Sequence, residues 1–306
     1  MPLVAAAILI AVCAVWGLNM VSIKISNPGL PPLHAVALRN SVAALVIGVW
    51  VYLRRETLFH RDRRLVHGVA IGIMFGFDFM FLYWGSVFTH ASRAIVFLYT
   101  YPFWVAIGAH IFLPQERLNR GKVMGLMLAF AGVVIVFASR QKGLEPGYWI
   151  GDGMEVVAAL FWAATTVYIK AVIENNDIGA ETVLFYQLFF SVPVLLTATV
   201  LFEWPAAVNL SFPVVAALVY QSLIVASVSY MVWFWLVHKH EVSVLAAFIL
   251  LVPLFGVLGS HLVLGEEMPV QLLLGLALVV AGILLVNRRL SGIAEGEISV
   301  GGRTVK

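Results

Sequence analysis

The chain has 306 residues, 62% of them hydrophobic and 11% charged, with a formal net charge of +3 and a sequence pI near 9. A soluble domain of this length carries polar helix faces or alternating strands, and neither pattern holds over most of this chain, so a large soluble core is excluded. A basic balance with no basic soluble domain argues against nucleic acid and for loops that meet anionic lipid.

Charge-free runs of about 20 apolar residues match a hydrocarbon core about 30 Å thick. In chain order they predict membrane helices over residues 3–26, 33–53, 66–88, 92–113, 122–139, 149–173, 182–202, 213–237, 242–264 and 270–287, an all-α membrane protein of ten spans. Asn27-Pro28-Gly29, Pro31-Pro32, Gly143 to Gly147 and Asn175-Asn176-Asp177 punctuate the breaks. The first run has no basic residue ahead of it and no small-x-small site behind it, so it reads as a membrane helix rather than a signal peptide. The single cysteine, Cys13, lies inside that helix and leaves no intrachain disulfide or thiolate metal site. Residues 140–148 join the two halves, and the polar tail 291–306 is expected to be disordered.

Lysine and arginine set the orientation. With a cytoplasmic N-terminus, fourteen of the nineteen fall on the cytoplasmic side: Arg54, Arg55, Arg61, Arg63 and Arg64, then Arg117, Arg120 and Lys122, then Lys170 and Lys239, and finally Arg288, Arg289, Arg303 and Lys306. That bias predicts both termini inside.

The chain also repeats itself. Pro102, Gly108 and His110 return at the same spacing as Pro253, Gly259 and His261, and Gly125 and Ala131-Gly132 return as Gly275 and Ala281-Gly282. Trp16-x4-Val21-x-Ile23-Lys24 recurs as Trp162-x4-Val167-x-Ile169-Lys170. Each copy holds an odd number of spans, so the second copy faces the opposite way, an architecture typical of transport. The charged turn Glu116-Arg117-x2-Arg120-x-Lys122 against Glu266-Glu267, which no base follows until Arg288, carries the opposite bias that inversion requires.

Trp16-Gly17-x-Asn19-x4-Lys24, Pro31-Pro32-Leu33 before an Arg39-bearing helix, Ala91-Ser92-Arg93-Ala94, and the paired turns ending in Glu116 and Leu264-Gly265-Glu266 resemble the EamA family of the drug/metabolite transporter superfamily. The match spans two EamA units, residues 3–139 and 149–287, and departs from Leu-Gly-Glu only at Pro114-Gln115. The resemblance implies ten helices in inverted five-helix repeats, a central substrate path and export of small metabolites across a bacterial cytoplasmic membrane, with no cofactor.

Candidate path residues are the polar and aromatic groups near mid-depth: Trp16, Asn19, Arg39, Asp78, Tyr101, Trp162, Thr165, Gln187 and Tyr230. Trp16 with Asn19, and Trp162 with Thr165, are spaced i to i+3, and repeat symmetry would bring those faces together. Such a wall suits an amphipathic organic solute, while any one tryptophan also reads as packing. An ionised Asp78 at mid-membrane costs roughly 3 kcal/mol or more unless paired or hydrated. Two readings stand for it: a coupling-proton or substrate-amine site, or a fixed structural bond. Arg39 faces the cavity or neutralises Asp78, Asp152 or Glu155, whereas Lys24 and Arg93 lie close enough to helix ends to snorkel. Pro102 and Pro253 break helices four and nine as hinges or static kinks. Gly68, Gly72 and Gly76 favour close helix packing. His110 and His261 lie toward opposite faces and cannot share one ion, and no Walker loop, zinc-protease or serine-hydrolase motif is present. The reading is a secondary transporter of a small solute; the alternative is an intramembrane enzyme acting on a lipid-linked substrate.

Overall fold

The computed structural model describes residues 1–89, 91–138, 147–175, 178–205, 207–265 and 271–296. The expected linker at 140–146, the Asn176-Asp177 turn, the Glu266 turn and the tail from residue 297 lie outside these, as do the side chains of Arg93, Arg288 and Arg289.

The first half folds as α1 (Leu3–Ser26), α2 (Pro32–Leu53), α3 (Arg63–Phe88), α4 (Ala91–Leu98), α5 (Tyr101–Phe112) and α6 (Arg120–Ala138). The second folds as α7 (Tyr148–Asn175), α8 (Ala180–Phe202), α9 (Phe212–Val219), a π-helical segment (Tyr220–Ser229), α10 (Tyr230–Lys239), α11 (Val242–Ile249), α12 (Val252–Leu264) and α13 (Gln271–Gly296). No strand occurs among the described residues. Among the described residues, seven helical stretches are long and apolar enough to cross a membrane, two of them, 212–239 and 242–264, made of consecutive segments, and 96–112 and 271–286 are shorter apolar stretches. The last helix continues to Gly296, past the expected end at Asn287 and through Gly292, so residues 291–296 are helical where disorder is expected from the sequence.

Local chemistry explains the boundaries. Pro32 opens α2 with its missing N–H where no helical bond is needed, and Asp62 caps α3 by accepting from the Arg64 N–H. That bond and the Arg64 guanidinium hold the exposed Asp62 carboxyl down at about 2. Pro102 and Pro253 each stand in the first turn of a second segment, after breaks at Tyr99-Thr100 and Leu250-Leu251. The expected interruption is thus a pair of stacked helices in each half, at equivalent positions of the repeat.

Helix contacts come in matched pairs. α1 packs on α12 as α7 packs on α5; α3 packs on α7 as α9, the π segment and α10 pack on α1; α2 meets its equivalent α8, and α6 meets α13. Small residues permit the closest of these contacts. A Cβ on Gly68, Gly72 or Gly76 would strike Tyr186, Phe190 or Val194 of α8, and one on Gly125 or Gly132 would strike the backbone carbonyl of Gly282 or Gly275.

Hydrogen bonds fasten each end. At the end holding the N-terminus, the Glu116 carboxyl accepts from the Val242 and Ser243 backbone N–H groups, capping α11. Burial pushes that carboxyl up despite these bonds. Lys122 pairs with Glu241 at 2.6 Å, and Lys170 Nζ donates to the carbonyls of Val237, His238 and His240 at the end of α10. Burial, then the terminal amine, Lys170 and Lys239, hold the His240 imidazole below its ordinary range. At the far end, Glu203 accepts from the Leu33 and His34 N–H groups and meets His34 Nδ1 at 2.8 Å, and the Asn209 N–H donates to the Gly29 carbonyl.

Candidate functional site

Helices from both halves enclose a central cavity of about 120 Å³. Trp16 and Asn19 from α1, Arg39 from α2, Asp78 from α3, Trp162 and Thr165 from α7, Gln187 from α8 and Tyr230 from α10 all line it. Tyr101 lies one layer behind, stacked on Trp162 at 3.9 Å with its hydroxyl 3.2 Å from Thr166 Oγ1. Pro102 and Pro253 do not line the cavity, but Leu98, Tyr99 and Val252 beside the two helix breaks do. Lys170 is turned away into its carbonyl cage. Gln221 Nε2 donates to Ser26 Oγ while its Oε1 has no partner among the described residues, and Ser227 donates to the Ser222 carbonyl.

The cavity wall is aromatic. Trp16 sits 6.3 Å from Trp162, 5.7 Å from Tyr230 and 5.4 Å from Trp233, with its indole N–H donated to Ser229 Oγ at 2.8 Å. Phe75, Phe79 and Tyr83 form a second wall on α3, with successive ring centroids 4.7 and 6.0 Å apart. Their i, i+4, i+8 spacing around Asp78 is the signal in the sequence that marks them, although they are not polar.

Four polar groups interrupt this wall. Arg39 is 1% exposed; it donates to the Tyr230 hydroxyl and rests its guanidinium carbon 4.7 Å from the Phe79 centroid and 5.4 Å from that of Tyr230. Those faces offset part of the cost of burying the charge. Arg39 Nε and Gln187 Oε1 are buried with no hydrogen-bond partner among the described residues. Asn19 Oδ1 is held by Ser22 at 3.3 Å. Asp78 is 4% exposed and has no hydrogen-bond or ion-pair partner among the described residues; the charge that acts on it is that of Arg39. A buried donor, an acceptor and a carboxyl, on residues that line one space, are what a small bifunctional solute needs for orientation, and the aromatic faces take its apolar part.

A polar-aromatic cavity at the junction of two helical halves, in a chain of membrane-spanning helices, defines a transporter. The chain belongs to the EamA-like transporter family, whose model matches it twice, at residues 3–138 and 149–288. It is 24% identical over 278 residues to the uncharacterized transporter YoaV of Bacillus subtilis (strain 168), covering 90% of this chain and 94% of that one. It is 28% identical over 280 residues to a protein of Salmonella typhimurium (strain LT2) named "Probable amino-acid metabolite efflux pump", covering 89% and 91%. A solved crystal structure of a protein 21% identical in sequence shares the fold with a TM-score of 0.80, over 95% of this chain and 99% of that one.

Proposed function

We propose that the protein is a secondary exporter of a small amphipathic metabolite, an amino acid or a related solute, that works by alternating access and exchanges a proton at Asp78. The observation that carries this reading is the Asp78 carboxyl, which borders the cavity with no partner among the described residues and feels the charge of Arg39, which also lines it. A carboxyl so placed is free to exchange a proton or to meet a substrate amine, and the unpartnered Arg39 Nε suits a substrate carboxylate. Two relatives, each named "Probable amino-acid metabolite efflux pump", support the substrate class. Reconstitution into vesicles loaded with a panel of labelled amino acids tests it: efflux that rises with an imposed proton gradient is expected for at least one, and none above empty vesicles would refute it.

In this reading the chain has ten spans, the stacked pairs α4 with α5 and α11 with α12 each crossing once, and α9, the π segment and α10 crossing together. The halves 3–139 and 149–287 are inverted about an axis in the membrane plane, which the matched helix contacts support. Both termini lie in the cytoplasm of a bacterial inner membrane, so the end that holds Glu116 and Lys170 faces inward. Single cysteines at Arg61 and Gly265, with Cys13 replaced, are expected to react from the cytoplasm and from the exterior respectively. Reaction of both from one side would refute the topology.

A further inference from the structure

The second buried carboxyl of the α3–α7 interface has no task in the reading above. Glu155 of α7 is 1% exposed, and its Oε2 has no hydrogen-bond partner. It fits there because α3 has a glycine opposite: a Cβ on Gly85 would stand 3.2 Å from Glu155 Oε1. One turn further toward the far end, Asp152 accepts from the Thr89 hydroxyl at 2.7 Å, where α3 stops. Contacts of Thr89 with Gly151, of Phe81 with Phe161 and of His67 with Tyr168 set the two helices antiparallel. Asp78 therefore lies about two turns, roughly 10 Å, inward of Glu155 along the interface. Leu82, between them on α3, already lines the cavity, and the facing α7 residues are the small Ala158 and Ala159.

Among the described residues, the charges that act on Glu155 are acidic. Asp152 on its own helix and Asp78 on α3 both act on it. Tyr83 of α3, Tyr101 of α5, Tyr230 of α10 and Arg39 of α2 stand around Asp78 rather than Glu155. With no described cation to neutralise it, an ionised Glu155 is expensive in this setting, and a carboxyl that takes up and releases a proton is not.

We propose that Glu155 is the outer carboxyl of a proton path that runs from the far end of the α3–α7 interface, past the Thr89–Asp152 contact, through Glu155 to Asp78 in the cavity. A proton from external water passes to Glu155 and then, across bridging water, to Asp78; each carboxyl O–H bond breaks as the next forms, and Glu155 returns to its starting charge. The proposal rests on the exporter reading, in which Asp78 is the group that exchanges the proton and the far end is external.

Dicyclohexylcarbodiimide, an apolar reagent that adds to protonated carboxyls, tests it without a known substrate. Full-length protein in right-side-out vesicles, with internal pH fixed and external pH stepped, is treated briefly, and modification of the Asp78 and Glu155 peptides is read by mass spectrometry. In the unaltered protein, labelling of both is expected to rise as external pH falls. In Glu155→Gln, Asp78 labelling is expected to lose most of its response to external pH, and Glu155→Asp should restore it. Asp78 labelling that tracks external pH equally in Glu155→Gln and the unaltered protein overturns the path and leaves the exporter reading intact. Asp78 that labels at no pH, while Glu155 does, overturns the role of Asp78 in that reading and the path with it.

Discussion

Asp78→Asn is expected to fold and insert normally and to lose proton-driven export by about tenfold or more, the factor that about 1.4 kcal/mol of lost driving interaction produces. The amide keeps the shape of the carboxyl and removes both its charge and its exchangeable acid proton. No protein hydrogen bond is broken, because Asp78 makes none among the described residues. Solute-for-solute exchange, which needs no net proton movement, should survive better than gradient-driven efflux. Asp78→Glu should retain part of the activity with a displaced pH profile, since the added methylene moves the carboxyl within a cavity of only about 120 Å³. Efflux from vesicles across a pH series, at matched expression, decides the matter. Profiles that coincide for Asp78→Asn and the unaltered protein would make Asp78 a structural residue.

Gly72→Val should prevent assembly of α3 on α8. A Cβ at that position would lie 2.3 Å from Phe190 Cβ and 2.9 Å from the Tyr186 carbonyl oxygen. The second of these is backbone and yields only if the whole of α8 moves off α3. Overpacking of this kind costs about 1–3 kcal/mol where side chains can adjust, and more where they cannot. The arrangement is repeated one turn away on either side by Gly68 and Gly76, so α8 cannot tilt to escape. Thermal unfolding in detergent, with Gly153→Ala as control, measures the effect. Nothing lies within 4 Å of a Cβ at Gly153, so that change should be neutral or slightly stabilising. Equal melting of the two variants would mean that the α3–α8 contact is dispensable.

How much of this was legible beforehand depends on whether an interaction leaves a periodic mark in the chain. The runs of apolar residues, the duplication and the Gly68-Gly72-Gly76 stripe are such marks, because helix length and close packing act at fixed spacing. The i to i+3 pairs Trp16 with Asn19 and Trp162 with Thr165 meet in the cavity for the same reason. Capping of α2 by Glu203 left no mark, and the repeated turn that marks Glu116 does not reveal its partner in α11, since each cap joins residues more than a hundred positions apart. Tyr101 shows a further limit. Its mid-depth position and polar tip are those of a cavity residue, yet the stacked Trp162 ring stands between it and the open space. Pro193 inside α8 also went unremarked; the Thr197 hydroxyl donates to its carbonyl.

The π-helical segment Tyr220–Ser229 makes the two halves unequal at their centre, for the corresponding stretch of α3 around Asp78 is regularly α-helical. A π turn accommodates one more residue than an α turn and thereby rotates everything that follows. Tyr230 and Trp233, which begin α10, owe their aim at Arg39 and Trp16 to that extra residue. Removing one amino acid between Tyr220 and Ser229 should let the segment relax to an ordinary α-helix and swing α10 by about 100°. Tyr230 would then leave the guanidinium it holds, while Lys239 and the Lys170 cage would be dragged out of register. A single codon deletion, silent for hydropathy and span length, would thus erase the cavity from the side opposite Asp78.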